Sequence, residues 1–146
     1  RLTPEKAPEL VAAAARAAGA GLRVAGEGES ADAVRAAHPE AVLLGRIDAA
    51  TMRRELRYAR ALVMGSIWME GYPLVMQEAW AAGTPVIVPD GLAEAGEVAD
   101  GTRGRLYRIG DEADLTRVLR SFDGTTSNRT GEVGYRSYWA DPLTLD

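Results

Sequence analysis

Short apolar segments alternate with longer, helix-like segments along most of this chain. The apolar segments predict strands, which we expect over residues 22–25, 41–44, 61–64, 85–88 and 104–107. The other segments predict helices over residues 4–18, 30–37, 73–82 and 111–121, and one more from Asp48 or Thr51 to about Tyr58. Short strands alternating with such helices predict an α/β fold, in which a parallel sheet carries helices on both faces. Ligands of such sheets bind outside the carboxyl ends of the strands.

Local residue chemistry indicates where two of these helices begin and end. Thr3 is expected to be the N-cap of the first helix, with Pro4 at its first position and a glycine-containing break at residues 19–21. His38 precedes a proline, which favours a helix end there, and we expect it to be a surface residue.

Length and composition narrow the class of protein. The 146 residues suit a single domain, and 47% apolar residues are enough for a core. The net charge of −4, without a basic patch interleaved with aromatic residues, argues against nucleic-acid binding. The lack of cysteine excludes disulfides, and the single histidine nearly excludes a zinc site. No apolar run is long enough to cross a bilayer and no signal-peptide pattern is present. We therefore expect a cytoplasmic location, which leaves room for peripheral membrane contact in a full-length protein.

The most informative segment is residues 66–86, in which Glu70 and Glu78 flank a Gly-Tyr-Pro sequence. On one straight helix, residues with this separation lie roughly 12 Å apart and roughly 80° out of line, so they cannot form a compact catalytic pair. Pro73 suits a first helical position, which places Glu70 in the preceding loop and Glu78 inside the helix.

A helix that begins at Pro73 leaves the N–H groups of Leu74 and Val75 free, and with the helix dipole they predict a phosphate site. Glu70 would reach a polyhydroxylated group on one side of this site, and Glu78 would take vicinal hydroxyls, such as those of a ribose, on the other. Taken singly, each glutamate is more simply an exposed loop acid or a solvated helical residue.

Residues 66–86 resemble the E-x7-E segment of family 4 (group 1) retaining glycosyltransferases of the GT-B fold. The matching positions are Ser66, Glu70, Gly71, Tyr72, Pro73, Glu78, Ala79, Ala81, Gly83, Pro85 and Val86. The resemblance covers about residues 1–122 and implies a Rossmann-like domain, the C-terminal, donor-binding half of a GT-B fold. Residues 123–146 would then be a linker and the start of a returning C-terminal segment.

The resemblance also implies an activity: transfer of a hexosyl-type sugar from a nucleotide-diphosphate sugar with retention, without a metal or any cofactor besides the donor substrate. It implies a catalytic role for Glu70 in contacting the donor sugar. The residues it implies in donor binding are Arg1, Lys6, Arg46, Ile47, Gly71, Tyr72, Pro73, Leu74, Val75 and Glu78. Among these, Arg1 and Lys6 would grip the phosphates, Glu78 would hold the ribose, and Arg46 and Ile47 would border the base.

In the family, the motif that holds Arg1, Leu2 and Lys6 follows a glycine and a strand, and neither stands before Arg1 here. We therefore expect a fragment that is inactive alone, whose unidentified acceptor would be held by a GT-B N-terminal domain.

Other classes of protein remain open at this point. Gly26-x-Gly28-x-x-Ala31, with Asp48 farther on, fits a nicotinamide-binding Rossmann fingerprint but leaves Arg1, Lys6 and the two glutamates unexplained. A non-catalytic nucleotide-sugar binding module is another alternative. A GT-B epimerase would need further acids and a better placed histidine.

Overall fold

The computed structural model describes residues 1–67, 74–92, 95–98, 101 and 103–122. The strands within these residues are β1 (Arg23–Ala25), β2 (Val42–Gly45), β3 (Leu62–Val63), β4 (Val86–Pro89) and β5 (Gly104–Tyr107). The helices are α1 (Pro8–Ala17), α2 (Ala31–Ala37), α3 (Ala49–Tyr58), α4 (Leu74–Ala81), α5 (Ala95–Val98) and α6 (Glu112–Ser121). Measured by length and apolar character, none of these helices qualifies as a membrane span.

The named strands pair in parallel, as the alternation of strands and helices predicts. β1 pairs with β2, while β3, β4 and β5 form a second group with β4 in the middle. Within the described part of the chain, the expected sheet is therefore divided into two hydrogen-bonded parts.

Two apolar clusters show that helices cover both faces of the sheet, which confirms the predicted layering. Alternate residues of a strand point to opposite faces, so Val86 and Val88 join one cluster and Ile87 joins the other. The first cluster is built with Leu56 of α3 and Trp80 of α4, and the second with α1 and α6. All four residues of β4 are buried, as expected for a strand covered on both faces.

The prediction of one continuous helix over residues 4–18 is wrong. A 3₁₀ turn occupies Pro4–Lys6, Ala7 has φ 43°, and α1 begins at Pro8. A proline disfavours the α conformation in the residue before it, so Pro8 explains the break at Ala7. Thr3 flanks the turn without a side-chain capping bond.

The expectation that His38 lies on the surface is also wrong. Its exposed fraction is 6%, and Nε2 lies 3.0 Å from the carbonyl oxygen of Ala20, in the loop after α1. At this distance Nε2 can donate a hydrogen bond to that carbonyl oxygen. The burial results from packing between α1 and α2, which the sequence around His38 does not reveal.

Other helix boundaries follow the chemistry of their first residues. The Asp48 carboxylate accepts a hydrogen bond from Thr51 N at 2.7 Å, and Asp111 accepts one from Asp114 N at 2.9 Å. Both are N-cap interactions, which satisfy backbone donors that the first helical turn leaves free.

Candidate functional site

The segment Arg1–Lys6 lies across the carboxyl ends of β1 and β3. Leu2 N donates to Glu27 O at 2.9 Å and Leu2 O accepts from Ser30 N at 3.0 Å, which ties the segment to the loop after β1. Glu5 O accepts from Ile67 N at 3.0 Å, which ties it to the loop after β3. Six residues therefore connect the two parts of the sheet at the edge where ligands of parallel sheets bind.

Glycines let this segment approach the sheet closely. A Cβ on Gly28 would lie 2.3 Å from Leu2 O, and a Cβ on Gly65 would lie 2.8 Å from the carbonyl oxygens of Lys6 and Ala7. Both clashes would be with backbone, which cannot move aside as a flexible side chain can. Gly28 and Gly65 are therefore required by the path of the Arg1–Lys6 segment.

The nicotinamide alternative loses its support at these positions. In a dinucleotide fingerprint the second glycine admits a pyrophosphate, but the space beside Gly28 is filled by the backbone of Leu2. The Asp48 carboxylate caps α3 through Thr51 N, a structural role that explains its presence.

Arg1, Lys6, Ser66 and Val75 line one cavity of about 910 Å³ that extends between β1 and β3. Arg1 is exposed and Lys6 half-buried, whereas Ser66, with an exposed fraction of 1%, is buried. The structure thus brings two predicted phosphate-binding cations to the cavity that also meets the first turn of α4. Ser66 belongs to the matched motif, but its place in the cavity was not anticipated from the sequence.

The helix α4 is held firmly below its first turn. Met76, Ala79 and Trp80 are fully buried, and Trp80 Nε1 donates to Arg103 O at 3.2 Å. Leu74 is 70% exposed, and Glu78, half-buried, shares its side of the helix because residues four apart lie on one face.

Several predicted site residues lie elsewhere or outside the described range. Arg46 and Ile47 follow β2 at the same edge of the sheet, but among the described lining residues of the cavity neither they nor Glu78 is present. Glu70 and Gly71–Pro73 lie outside the described residues, so their roles stay predictions.

Sequence reasoning overlooked a negative charge beside the two cations. The pKa of Glu5 is lowered, mainly by hydrogen bonding to its own backbone N–H, then by a hydrogen bond with the Thr3 side chain, and to a lesser degree by the charges of Lys6 and Arg1. Ionised Glu5 therefore offsets part of the positive charge that an anion would meet. In the part of the chain that the structure describes, no group of three His, Cys, Asp or Glu side chains could hold a metal ion.

Comparison with known proteins identifies the family of this chain. The family model described as "Glycosyl transferases group 1" matches residues 1–122. No curated protein matches the chain.

Solved structures share the fold. A TarM variant from S. aureus, in complex with Fondaparinux, alpha-GlcNAc-glycerol and UDP, has a TM-score of 0.82 and 18% identity, with 99% of this chain and 32% of that one covered. HepE from Anabaena, in complex with UDP and glucose, has a TM-score of 0.80 and 17% identity, with 99% and 44% covered. Sucrose-phosphate synthase from Thermosynechococcus elongatus has a TM-score of 0.77 and 22% identity, with 96% and 39% covered.

The chain therefore spans less than half the length of each of these proteins. At these identities the likeness establishes the fold, which is that of GT-B glycosyltransferases. The family match covers most of the sequence, and with the parallel α/β architecture it leads to one conclusion: the chain belongs to the group 1 glycosyltransferases.

Proposed function

We propose that this chain is the donor-binding domain of a retaining glycosyltransferase and that it binds a nucleotide-diphosphate sugar. The observation that carries the proposal is the meeting of Arg1, Lys6 and the first turn of α4, through Val75, at one cavity. Two cations and a helix N-terminus suit a diphosphate, because both offset the charge that grows on a departing diphosphate.

The two glutamates define the orientation of the donor in this proposal. Glu78 lies four residues after Leu74, roughly 6 Å along α4 from its start, a suitable separation for a ribose next to a diphosphate held at the helix N-terminus. In the proposal, Glu70 is assigned to hydroxyls of the donor sugar on the opposite side, and Gly71, Tyr72 and Pro73 are assigned to donor binding, as the family resemblance implies. Arg46 and Ile47 border the base from the neighbouring loop.

The reaction breaks the bond between the anomeric carbon and the diphosphate oxygen and forms a bond from that carbon to an acceptor oxygen. The acceptor attacks on the face from which the diphosphate departs, and the acceptor proton passes to the leaving oxygen. Arg1, Lys6 and the α4 amides supply the positive charge, so the mechanism needs no metal and no cofactor besides the donor.

The acceptor belongs to a second domain in this proposal. The chain spans 32% to 46% of the first solved structures it resembles, and we assign acceptor binding to an N-terminal GT-B domain. The uridine diphosphate found with TarM and HepE makes UDP the first nucleotide to test.

Calorimetric titration of the 146-residue chain with UDP, GDP and ADP tests the proposal. We expect one of them to bind, and Lys6→Ala to weaken its binding by roughly ten- to a hundredfold, since a charge-assisted contact is worth about 1.5–3 kcal/mol. Arg35→Ala is the matched control, because Arg35 is exposed on α2 and pairs with Asp32. Equal affinity of wild type and Lys6→Ala would overturn the diphosphate assignment.

A second titration separates the two glutamates. Glu78→Ala should weaken the binding of the nucleoside diphosphate and of its sugar conjugate equally. The expected loss of binding free energy is about 1.5–3 kcal/mol, the value of a charge-assisted hydrogen bond between the carboxylate and the ribose. Glu70→Ala should weaken the binding of the sugar conjugate and leave the affinity for the nucleoside diphosphate almost unchanged. Equal losses for both ligands in Glu70→Ala would contradict its placement at the sugar.

A further inference from the structure

The hydrogen-bond ladder between β3 and β4 ends because a backbone donor is missing. Leu62 N donates to Pro85 O at 2.9 Å, and Met64 N donates to Ile87 O at the same distance. In a parallel ladder of this register, the next donor toward β3 is the N–H of residue 89, and its acceptor is Met64 O. Residue 89 is a proline, the last residue of β4, and has no N–H. The backbone of β4 therefore leaves Met64 O without its ladder donor.

The side chain of Tyr107, at the end of β5, supplies a donor to this oxygen. Its hydroxyl donates to Met64 O at 2.6 Å. Tyr107 is 1% exposed and lies in the apolar cluster with Ile87 and Leu115, on the face of the sheet that α1 and α6 cover. Burial raises the pKa of Tyr107, so the hydroxyl stays protonated and remains a donor at neutral pH. A side chain from two strands away thus takes the place of the N–H that Pro89 lacks.

Tyr107 connects the carboxyl ends of three strands. Its hydroxyl holds Met64, the first residue after β3, and its carbonyl oxygen accepts from Asp90 N, directly after β4, at 2.8 Å. Tyr107 itself is the last residue of β5. Ligands of parallel sheets bind at this edge, so one buried residue fixes the positions from which three of its loops begin.

The loop that the hydroxyl holds in place contacts the Arg1–Lys6 segment. A Cβ on Gly65 would lie 2.8 Å from Lys6 O, which shows how closely the two backbones approach. Ile67 N donates to Glu5 O at 3.0 Å. A displacement of this loop would therefore move the backbone of Lys6 and the charged side chain that it carries.

We propose that Tyr107 is a positioning residue for the donor site. Its hydroxyl replaces the missing N–H of Pro89 and fixes residues 64–67 against the Arg1–Lys6 segment. Tyr107 contacts no part of the donor and acts on the diphosphate only through the position of Lys6. The effect on nucleotide affinity rests on the proposed function, because it requires Lys6 to bind the diphosphate.

A double-mutant cycle tests this role. Tyr107→Phe removes the hydroxyl and keeps the ring, and Pro89→Ala restores an N–H at residue 89. Amide hydrogen exchange at Ile67 is measured without nucleotide, and calorimetry measures the affinity for the nucleoside diphosphate. Thr116→Val is the matched control, because it also removes a buried hydroxyl that donates to a backbone carbonyl, that of Glu112 within α6 at 2.9 Å.

Tyr107→Phe should speed exchange at Ile67 by about tenfold. It should also weaken binding of the nucleoside diphosphate by about two- to tenfold, the effect of one neutral hydrogen bond. In the Pro89→Ala background, Tyr107→Phe should change neither quantity, because the restored N–H donates to Met64 O. Thr116→Val should leave both quantities at their wild-type values.

Unchanged exchange at Ile67 in Tyr107→Phe, or faster exchange with unchanged affinity, would overturn the proposal. Equal effects of Tyr107→Phe in the wild-type and Pro89→Ala backgrounds would also overturn it, since a general loss of packing would not depend on residue 89. A wild-type chain that binds none of the nucleoside diphosphates would overturn the proposed function instead. The exchange data, which need no nucleotide, would still decide whether the Tyr107 hydroxyl replaces the Pro89 donor.

Discussion

Single residues determine how the Arg1–Lys6 segment meets the sheet. Gly65 lies where a Cβ would meet the carbonyl oxygens of Lys6 and Ala7 and the Val11 side chain, each at 2.8 Å. The position of the Lys6 charge thus depends on a residue that has no charge and contacts no ligand in the proposed function.

Gly65→Ala should therefore lower the free energy of unfolding by about 1–3 kcal/mol, a typical cost of overpacking, and should weaken binding of the nucleoside diphosphate. Thermal denaturation and calorimetry measure the two effects. Gly21→Ala is the control, because a Cβ at Gly21 would meet nothing within 4 Å. If Gly65→Ala had the same free energy of unfolding as the wild type, the Arg1–Lys6 segment could move away from residue 65 without loss of stability, which would contradict the prediction.

Glu5 lies among the cations, and its lowered pKa keeps it ionised at neutral pH. Glu5→Gln should strengthen nucleoside diphosphate binding by roughly two- to fivefold, because one like charge is removed from the anion site at an exposed position. Glu40→Gln makes the same change in net charge at an exposed loop residue and should leave the affinity unchanged. Titrations at low and moderate salt check the electrostatic origin, and weaker binding in Glu5→Gln would contradict it.

At the scale of elements, apolar segments and helix-starting residues were sufficient to predict most of the fold. β5 lies at the predicted residues 104–107, and α3 and α6 begin behind aspartates that cap them. The Pro8 break in the first helix was overlooked, although the proline is visible in the sequence. The four residues of α5 are too few for a helical period, and it was not predicted.

The candidate site was predictable only in part, for a physical reason. Arg1 and Lys6 were found through a motif, and the structure brings them to the cavity that meets α4. The role of Gly65 depends on contact between segments remote in sequence, and the charge balance at Glu5 depends on local geometry. Neither leaves a pattern in the order of residues.

Hydrogen bonds of the Asp114 carboxylate connect α6 to the residue that follows β5, and their strength depends on pH. Asp114 accepts from Arg108 N at 2.7 Å and pairs with Arg117 at 2.9 Å, and these hydrogen bonds, the first foremost, lower its pKa. A lowered folded-state pKa means that the ionised group stabilises the fold above its ordinary pKa. That stabilisation is lost as the pH falls through the lowered value.

Asp114→Asn should cost about 1 kcal/mol at neutral pH, a usual value for a partly exposed hydrogen bond. The difference from wild type should shrink as the pH is lowered below 4, because protonation weakens the same bonds in the wild type. Denaturant unfolding at several pH values measures this. Asp32→Asn, in an exposed pair within α2, is the control, and a pH-independent difference for Asp114→Asn would contradict the link.

At the scale of the whole molecule, donor binding and transfer are separable properties in the proposed function. We expect the 146-residue chain to bind donor but to show no more than trace transfer, because positioning the acceptor can contribute roughly 7–11 kcal/mol to lowering the barrier. Mass spectrometry of products from UDP-sugars and a pool of acceptor alcohols measures transfer, with Lys6→Ala as the control. Sustained multiple turnover that Lys6→Ala abolishes would show that the chain holds its own acceptor site.

The hydrogen bonds of Leu2 and Glu5 place the same six residues on both parts of the sheet. A ligand that immobilises Arg1 and Lys6 would therefore also restrain these two parts relative to each other. Linkage is reciprocal, so a change that fixes the two parts relative to each other would preorganise the two cations and raise the affinity of the ligand by an equal free energy. Nucleotide affinity would then report on how firmly the Arg1–Lys6 segment is held against both parts of the sheet.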